Sequence, residues 1–186
     1  MKTSKILISL IVIIPVLMYI VNPFGASTYD PRGRIFGVVP YRIPSRSMEP
    51  TLQVGDFILV NAGAYRSSIP QINDVIVFKY PKSKEVNYVM RVMARGGETV
   101  LLKNGTVAVN GKTIEQPYLD ATNSVRTNEM DGSWTVPDDS LFVLGDNRDN
   151  SNDSRYWGFV PIEDVVGKVS MIWKSEDSDR IGESVE

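Results

Sequence analysis

From Phe57 onward the chain is a succession of short β-branched and aromatic runs cut by turn formers, a pattern that admits a sheet and little else. Residues 57–60, 75–80 and 88–94 are such runs, bounded by Gly, Pro, Asn and Asp, and 141–144 and 165–173 complete them. Within 100–114, Asn104-Gly105 and Asn110-Gly111 predict a tight β-meander with type I′ turns, because Asn-Gly accepts positive φ at both central positions. No helical period of apolar residues recurs beyond the amino-terminal stretch. The 116–139 stretch is mainly polar and reads as an insertion or long loop with Trp134 as its packing residue. The acidic tail, 175–186, holds few apolar residues and is expected to stay disordered. With 186 residues, 42% of them apolar, one hydrophobic core and one globular domain are expected.

Composition restricts the chemistry. The chain holds no histidine and no cysteine. That excludes a Ser-His-Asp triad, a cysteine nucleophile, a disulfide framework and any His- or Cys-ligated metal, since each needs a side chain that is missing. A catalytic serine here requires lysine, a carboxylate or the chain's own amino terminus as its base. A net charge of −2 speaks against nucleic acid as a partner.

The amino terminus carries an apolar run, 6–21, interrupted only by Ser9, Pro15 and Tyr19. It is shorter than the ~20 residues that a spanning helix usually needs, and is expected to cross the membrane with help from flanking interfacial residues. Lys2 and Lys5 precede it and no Lys or Arg follows before Arg32, which predicts a cytoplasmic amino terminus and an exterior domain from Asn22 onward. A cleaved signal peptide is the rival reading, through the small residues Gly25-Ala26-Ser27. Cleavage after Ala26 would set the bulky Phe24 where a small side chain is wanted, so a retained anchor is expected.

The sharpest motif is Ser45-Arg46-Ser47-Met48-Glu49-Pro50-Thr51-Leu52. Pro44 and Pro50 disfavour helix, so Ser45 and Ser47 alternate along an extended segment and can face one cleft. A serine hydroxyl is a weak nucleophile without a base and oxyanion donors, and Ser-x-Ser in a proline-rich loop often makes turn hydrogen bonds only. The later run Gly145-Asp146-Asn147-Arg148-Asp149-Asn150-Ser151-Asn152-Asp153-Ser154-Arg155 is dense in acids and amides, but its spacing is not that of an EF-hand calcium loop.

Together these motifs resemble the signature of the type I signal peptidases, the Ser/Lys-dyad leader peptidase family. The resemblance extends through residues 55–60, 74–81 and 88–92, and on from the final box through Tyr156-Trp157-Gly158-Phe159-Val160-Pro161. It implies a mostly β fold: a signal-peptidase-like β-barrel or coiled-sheet domain at 26–174 preceded by one transmembrane helix within 1–25. It also implies single-pass residence in the cytoplasmic membrane, with signal peptides of exported preproteins and membrane lipid as partners. Ser47 aligns with the nucleophile, and Ser45 with the hydroxyl that joins the Ser47 amide in the oxyanion hole. The family pairs Asp146 with Arg91 and Asp153 with Arg155, and sets Ser151 beside the general base. That base is a lysine, and Met90 stands at its position.

On a strand of period two, Tyr88, Met90, Val92 and Ala94 share one face and Val89, Arg91 and Met93 the other. A lysine at 90 would need its pKa lowered by burial to accept the serine proton, which a thioether cannot do. Methionine is unbranched and of similar length, so it fills the same slot. Three readings follow: a replacement that removes the base, a pseudopeptidase that binds exported peptides without cleaving them, or another base, with Lys79 nearest in sequence. Histidine, used here by the endoplasmic-reticulum relatives, is absent from the chain. The self-cleaving repressors, a second Ser/Lys family of related fold, carry a DNA-binding domain where this chain has its apolar run.

Overall fold

The computed structural model describes residues 2–119 and 131–185. Helix α1 (Lys2–Val21) is followed by the short α2 (Pro31–Phe36). Asp30 caps α2 by accepting from the Arg32 amide, Pro31 fits its first turn, and Gly37 closes it at φ 77°. Strands β1 (Val38–Arg42), β2 (Phe57–Asn61), β3 (Val75–Tyr80), β4 (Ser83–Arg95), β5 (Thr99–Lys103), β6 (Thr106–Val109), β7 (Lys112–Thr113), β8 (Gly132–Thr135) and β9 (Ser140–Leu144) come next. The one-turn helix α3 (Ser154–Trp157), β10 (Val160–Pro161) and β11 (Val165–Lys174) complete the chain's regular elements.

Seven strands form one antiparallel sheet in the order β1-β2-β11-β3-β4-β9-β10, and four form a second in the order β7-β6-β5-β8. The meander forms as its turns dictate: Asn104 and Gly105 have φ of 47° and 75°, Asn110 and Gly111 of 51° and 79°. Two cores result. One packs Ile58, Ile76, Phe78 and Met90 between the faces of the large sheet; the other joins Val100, Leu102 and Val107 of the small sheet to Met93, Phe142 and Leu144. Trp134 packs against Phe142 with ring centres 5.0 Å apart, but from strand β8 instead of a loop. Of the 116–139 stretch read as a long loop, residues 120–130 lie outside the described residues.

Several expectations are corrected. Neither sheet closes: β1 and β10 end the larger sheet unpaired with each other, and the small sheet shares no ladder with it, so the fold is mostly β but not a barrel. Closure would need the two edges to meet, and β10, two residues long, offers almost no ladder. Among the described residues no helix is long and apolar enough to cross a membrane, which overturns the transmembrane helix and, with it, the single-pass inner-membrane topology. The apolar run within α1 falls short of the ~20 residues that the hydrocarbon core demands. At its other end α1 is tied back, as Arg34 of α2 donates to the carbonyls of Tyr19 and Thr28 and stacks on the Tyr29 ring.

On β4 the alternation holds only as far as Val92. A bulge between Val92 and Ala94 shifts the register against β9 and turns Ala94 into the second core beside Met93. The acidic tail is ordered against the sheet: Arg180 pairs with Asp56 at 2.8 Å, Ser184 bridges Met171, and Val185 is buried. Composition counted its charges without the buried partner that one of them meets.

Candidate active site

The serine turn leaves β1 under tight control. Ile43 exchanges backbone hydrogen bonds with Asp56 and Gly55, so the chain stays pinned to the start of β2 until Pro44 redirects it. Met48 and Leu52 then plug the core at 1% and 0% exposure, leaving Ser45 exposed and Ser47 half-buried at the surface. Their hydroxyl oxygens lie 3.1 Å apart. Beside them opens a cleft of about 370 Å³, lined by both serines, Ile43, Val77, Tyr88 and Met90. Met90, buried to 2% exposure on β4 opposite Ile76, is thus in the same cleft as Ser47. Lys79 is opposite Asn87 and does not line the cleft.

Residues 145–155 clamp the serine turn from the other side. The Asn147 amide donates to the Ser47 carbonyl at 3.0 Å, and the Asn147 side chain donates to the Arg46 carbonyl at 3.1 Å. Gly145 is required by close approach: a Cβ there would sit 2.4 Å from the Ser47 carbonyl oxygen and 2.3 Å from Ser151 Oγ. The Ser151 hydroxyl is buried and has no hydrogen-bond partner among the described residues.

Two buried ion pairs hold this loop, each the pair that the resemblance implied. Arg91 grips Asp146 through Nε at 3.0 Å and Nη2 at 2.8 Å, both side chains 1% exposed. Arg155 grips Asp153 through Nε at 2.7 Å and Nη2 at 2.9 Å, and Asp153 also accepts from the Gly145 amide. Bidentate geometry and further hydrogen bonds are what make buried charges tolerable. Arg91 adds a bond to the Asn73 carbonyl, and Thr51 donates to Asp146 at 2.5 Å. Arg148 donates to the Gly145 carbonyl at 3.0 Å, and burial pulls its guanidinium pKa below the ordinary value.

Four residues of this scaffold were not singled out from sequence. Thr51, Asn147 and Arg148 lie inside the two motifs, where their density of polar groups was the only signal. Tyr118 had none: its ring lies 3.7 Å from the Arg91 guanidinium carbon, and burial raises its hydroxyl pKa. Among the described residues no three His, Cys, Asp or Glu side chains converge to hold a metal ion.

Residues 5–174 match the family model for signal peptidase, peptidase S26. The chain belongs to the signal peptidase I family. It is 37% identical to a signal peptidase I of Pseudomonas fluorescens over 76% of this chain and 66% of the relative. Against a signal peptidase I of Aquifex aeolicus it is 39% identical, over 73% of this chain and 75% of the relative. A crystal structure of a signal peptidase I from Enterococcus faecalis aligns at 33% identity with a TM-score of 0.49, over 54% of this chain and 97% of that one. The chain thus spans about two thirds of the length of the Pseudomonas relative. Membership assigns this signal peptidase I family chain to the proteases.

Proposed function

We propose that this chain binds the signal peptides of exported preproteins as a serine endopeptidase of its family does, with Ser47 as nucleophile, and that Met90 holds the reaction short of turnover. One observation supports the reading: Ser47 and Met90 line one cleft. In acylation the Ser47 oxygen attacks the carbonyl of a small residue, and its proton passes to the base. The Ser47 amide and the Ser45 hydroxyl receive the oxyanion, and the base returns the proton to the departing amine; water then hydrolyses the acyl ester to free Ser47. Asp146 with Arg91, and Asp153 with Arg155, act by holding position and touch no reacting atom. The Ser151 hydroxyl is buried and unpartnered among the described residues, and in this reading an amine at position 90 would be its partner.

A thioether accepts no proton at useful pH, so binding and oxyanion stabilisation remain while proton transfer does not. Loss of one member of a cooperating catalytic unit costs ~10⁴ to 10⁶ in rate. Purified protein incubated with a secretory precursor is expected to show almost no cleavage, and Met90→Lys to restore it by a factor of that order. Adding Ser47→Ala to the restored form should abolish the activity. Comparable cleavage by the Met90 and Met90→Lys forms would overturn the reading, because a different base would then be at work.

A further inference from the structure

We propose that Arg42 selects an acidic side chain at the second position before the bond that a bound peptide presents to Ser47; this rests on the peptide-binding reading above. Strand β1 is an edge of the large sheet, and Tyr41, Arg42 and Ile43 at its end line the cleft. Along β1 and just past it Val39 and Ile43 are buried and Tyr41 is half-buried, while Arg42 is exposed. An extended peptide laid against an open strand edge alternates in step with that strand. Its first and third residues before the cut then descend toward the apolar floor. The residue between them rises on the Arg42 face.

That face carries two basic side chains. The register sets Arg42 opposite Phe57 and Phe57 opposite Lys174, a row of three side chains on one side of the sheet. The Lys174 ammonium lies 5.1 Å from the centre of the Phe57 ring, so the row carries a cation at each end. Among the described residues no carboxylate forms an ion pair with either one. Nearby Arg46, by contrast, is already held by Glu49. A peptide carboxylate rising beside Arg42 therefore meets an uncommitted guanidinium. A lysine in its place meets like charge.

Three fluorescein-labelled peptides test this, identical except for Glu, Ala or Lys between two alanines before the cut, titrated into the full chain by anisotropy. An exposed charge pair predicts a Kd about threefold lower for Glu than for Ala and about threefold higher for Lys. The spread should collapse at about 1 M salt. Arg42→Glu should reverse the order, Arg42→Gln should flatten it, and Lys174→Gln should keep the order with a smaller spread. Equal binding of the three peptides, or the native order persisting in Arg42→Glu, overturns the role of Arg42 while leaving peptide binding intact. Failure of all three peptides to bind removes the peptide-binding reading, and this inference with it.

Discussion

The loop at 145–155 and the meander at 99–113 are both tightly ordered, but by opposite means. In the meander, order is local. Asn104-Gly105 and Asn110-Gly111 set the turns, apolar side chains alternate, and each strand pairs with the next in the chain. In the loop, local bonds such as Arg155 to Asp153 and Arg148 to the Gly145 carbonyl are joined by distant ones: Asp146 is held by Arg91 and Thr51, 55 and 95 positions away, and Asn147 reaches back 101 positions to Arg46. A hairpin survives the loss of one contact because its neighbours re-form it. A buried polar network does not, since each missing partner leaves a charge or donor stranded away from water.

The contrast is broken most directly at Arg91. Arg91→Met strands Asp146 in the core and is expected to destabilise the fold by about 3–5 kcal/mol in urea denaturation. Pairing it with Asp146→Leu should recover part of that loss, since the stranded charge is then gone. A loss under about 1 kcal/mol for the single variant would mean that the pair is not the anchor its geometry indicates.

Two glycines sharpen the same comparison. Gly145→Ala drives a methyl into the Ser47 carbonyl and the Ser151 hydroxyl, at an expected cost of about 1–3 kcal/mol and with cleavage lost in the Met90→Lys background. Gly111→Ala meets nothing within 4 Å and suffers only its φ of 79°, at about 1 kcal/mol, with cleavage in that background untouched. Equal effects on cleavage from the two would erase the distinction between clamp and hairpin.

The smallest effect is expected at the tail. Burial pushes the Asp56 carboxyl up, but hydrogen bonds from Ser175 and the Gln53 amide, and the Arg180 guanidinium, outweigh it and hold the pKa below the ordinary value. A depressed carboxylate contributes stability that is complete above its unfolded value of about 3.9 and lost as pH falls through the native one. Melting temperature measured downward from about pH 5 should therefore drop more gently in Asp56→Asn than in the native chain. An identical acid profile would show that the tail's ion pair does not contribute.

What the sequence determined by itself is the part governed by short-range sterics and by composition. Strands β2–β6, β9 and β11 fell on β-branched runs, turns where Asn-Gly allows positive φ, and the lack of histidine and cysteine excluded whole chemistries without any coordinates. The serine motif and both Arg-Asp pairs were also legible, through their resemblance to one family. Tertiary structure alone decided that the sheet stays open, that a bulge moves Ala94 to the other core, that Tyr118 covers Arg91, and that the acidic tail packs through Arg180. Backbone preference and side-chain alternation travel with a residue and its neighbours. Sheet closure, and the choice of a partner some hundred positions away, depend on which surfaces the completed fold brings together.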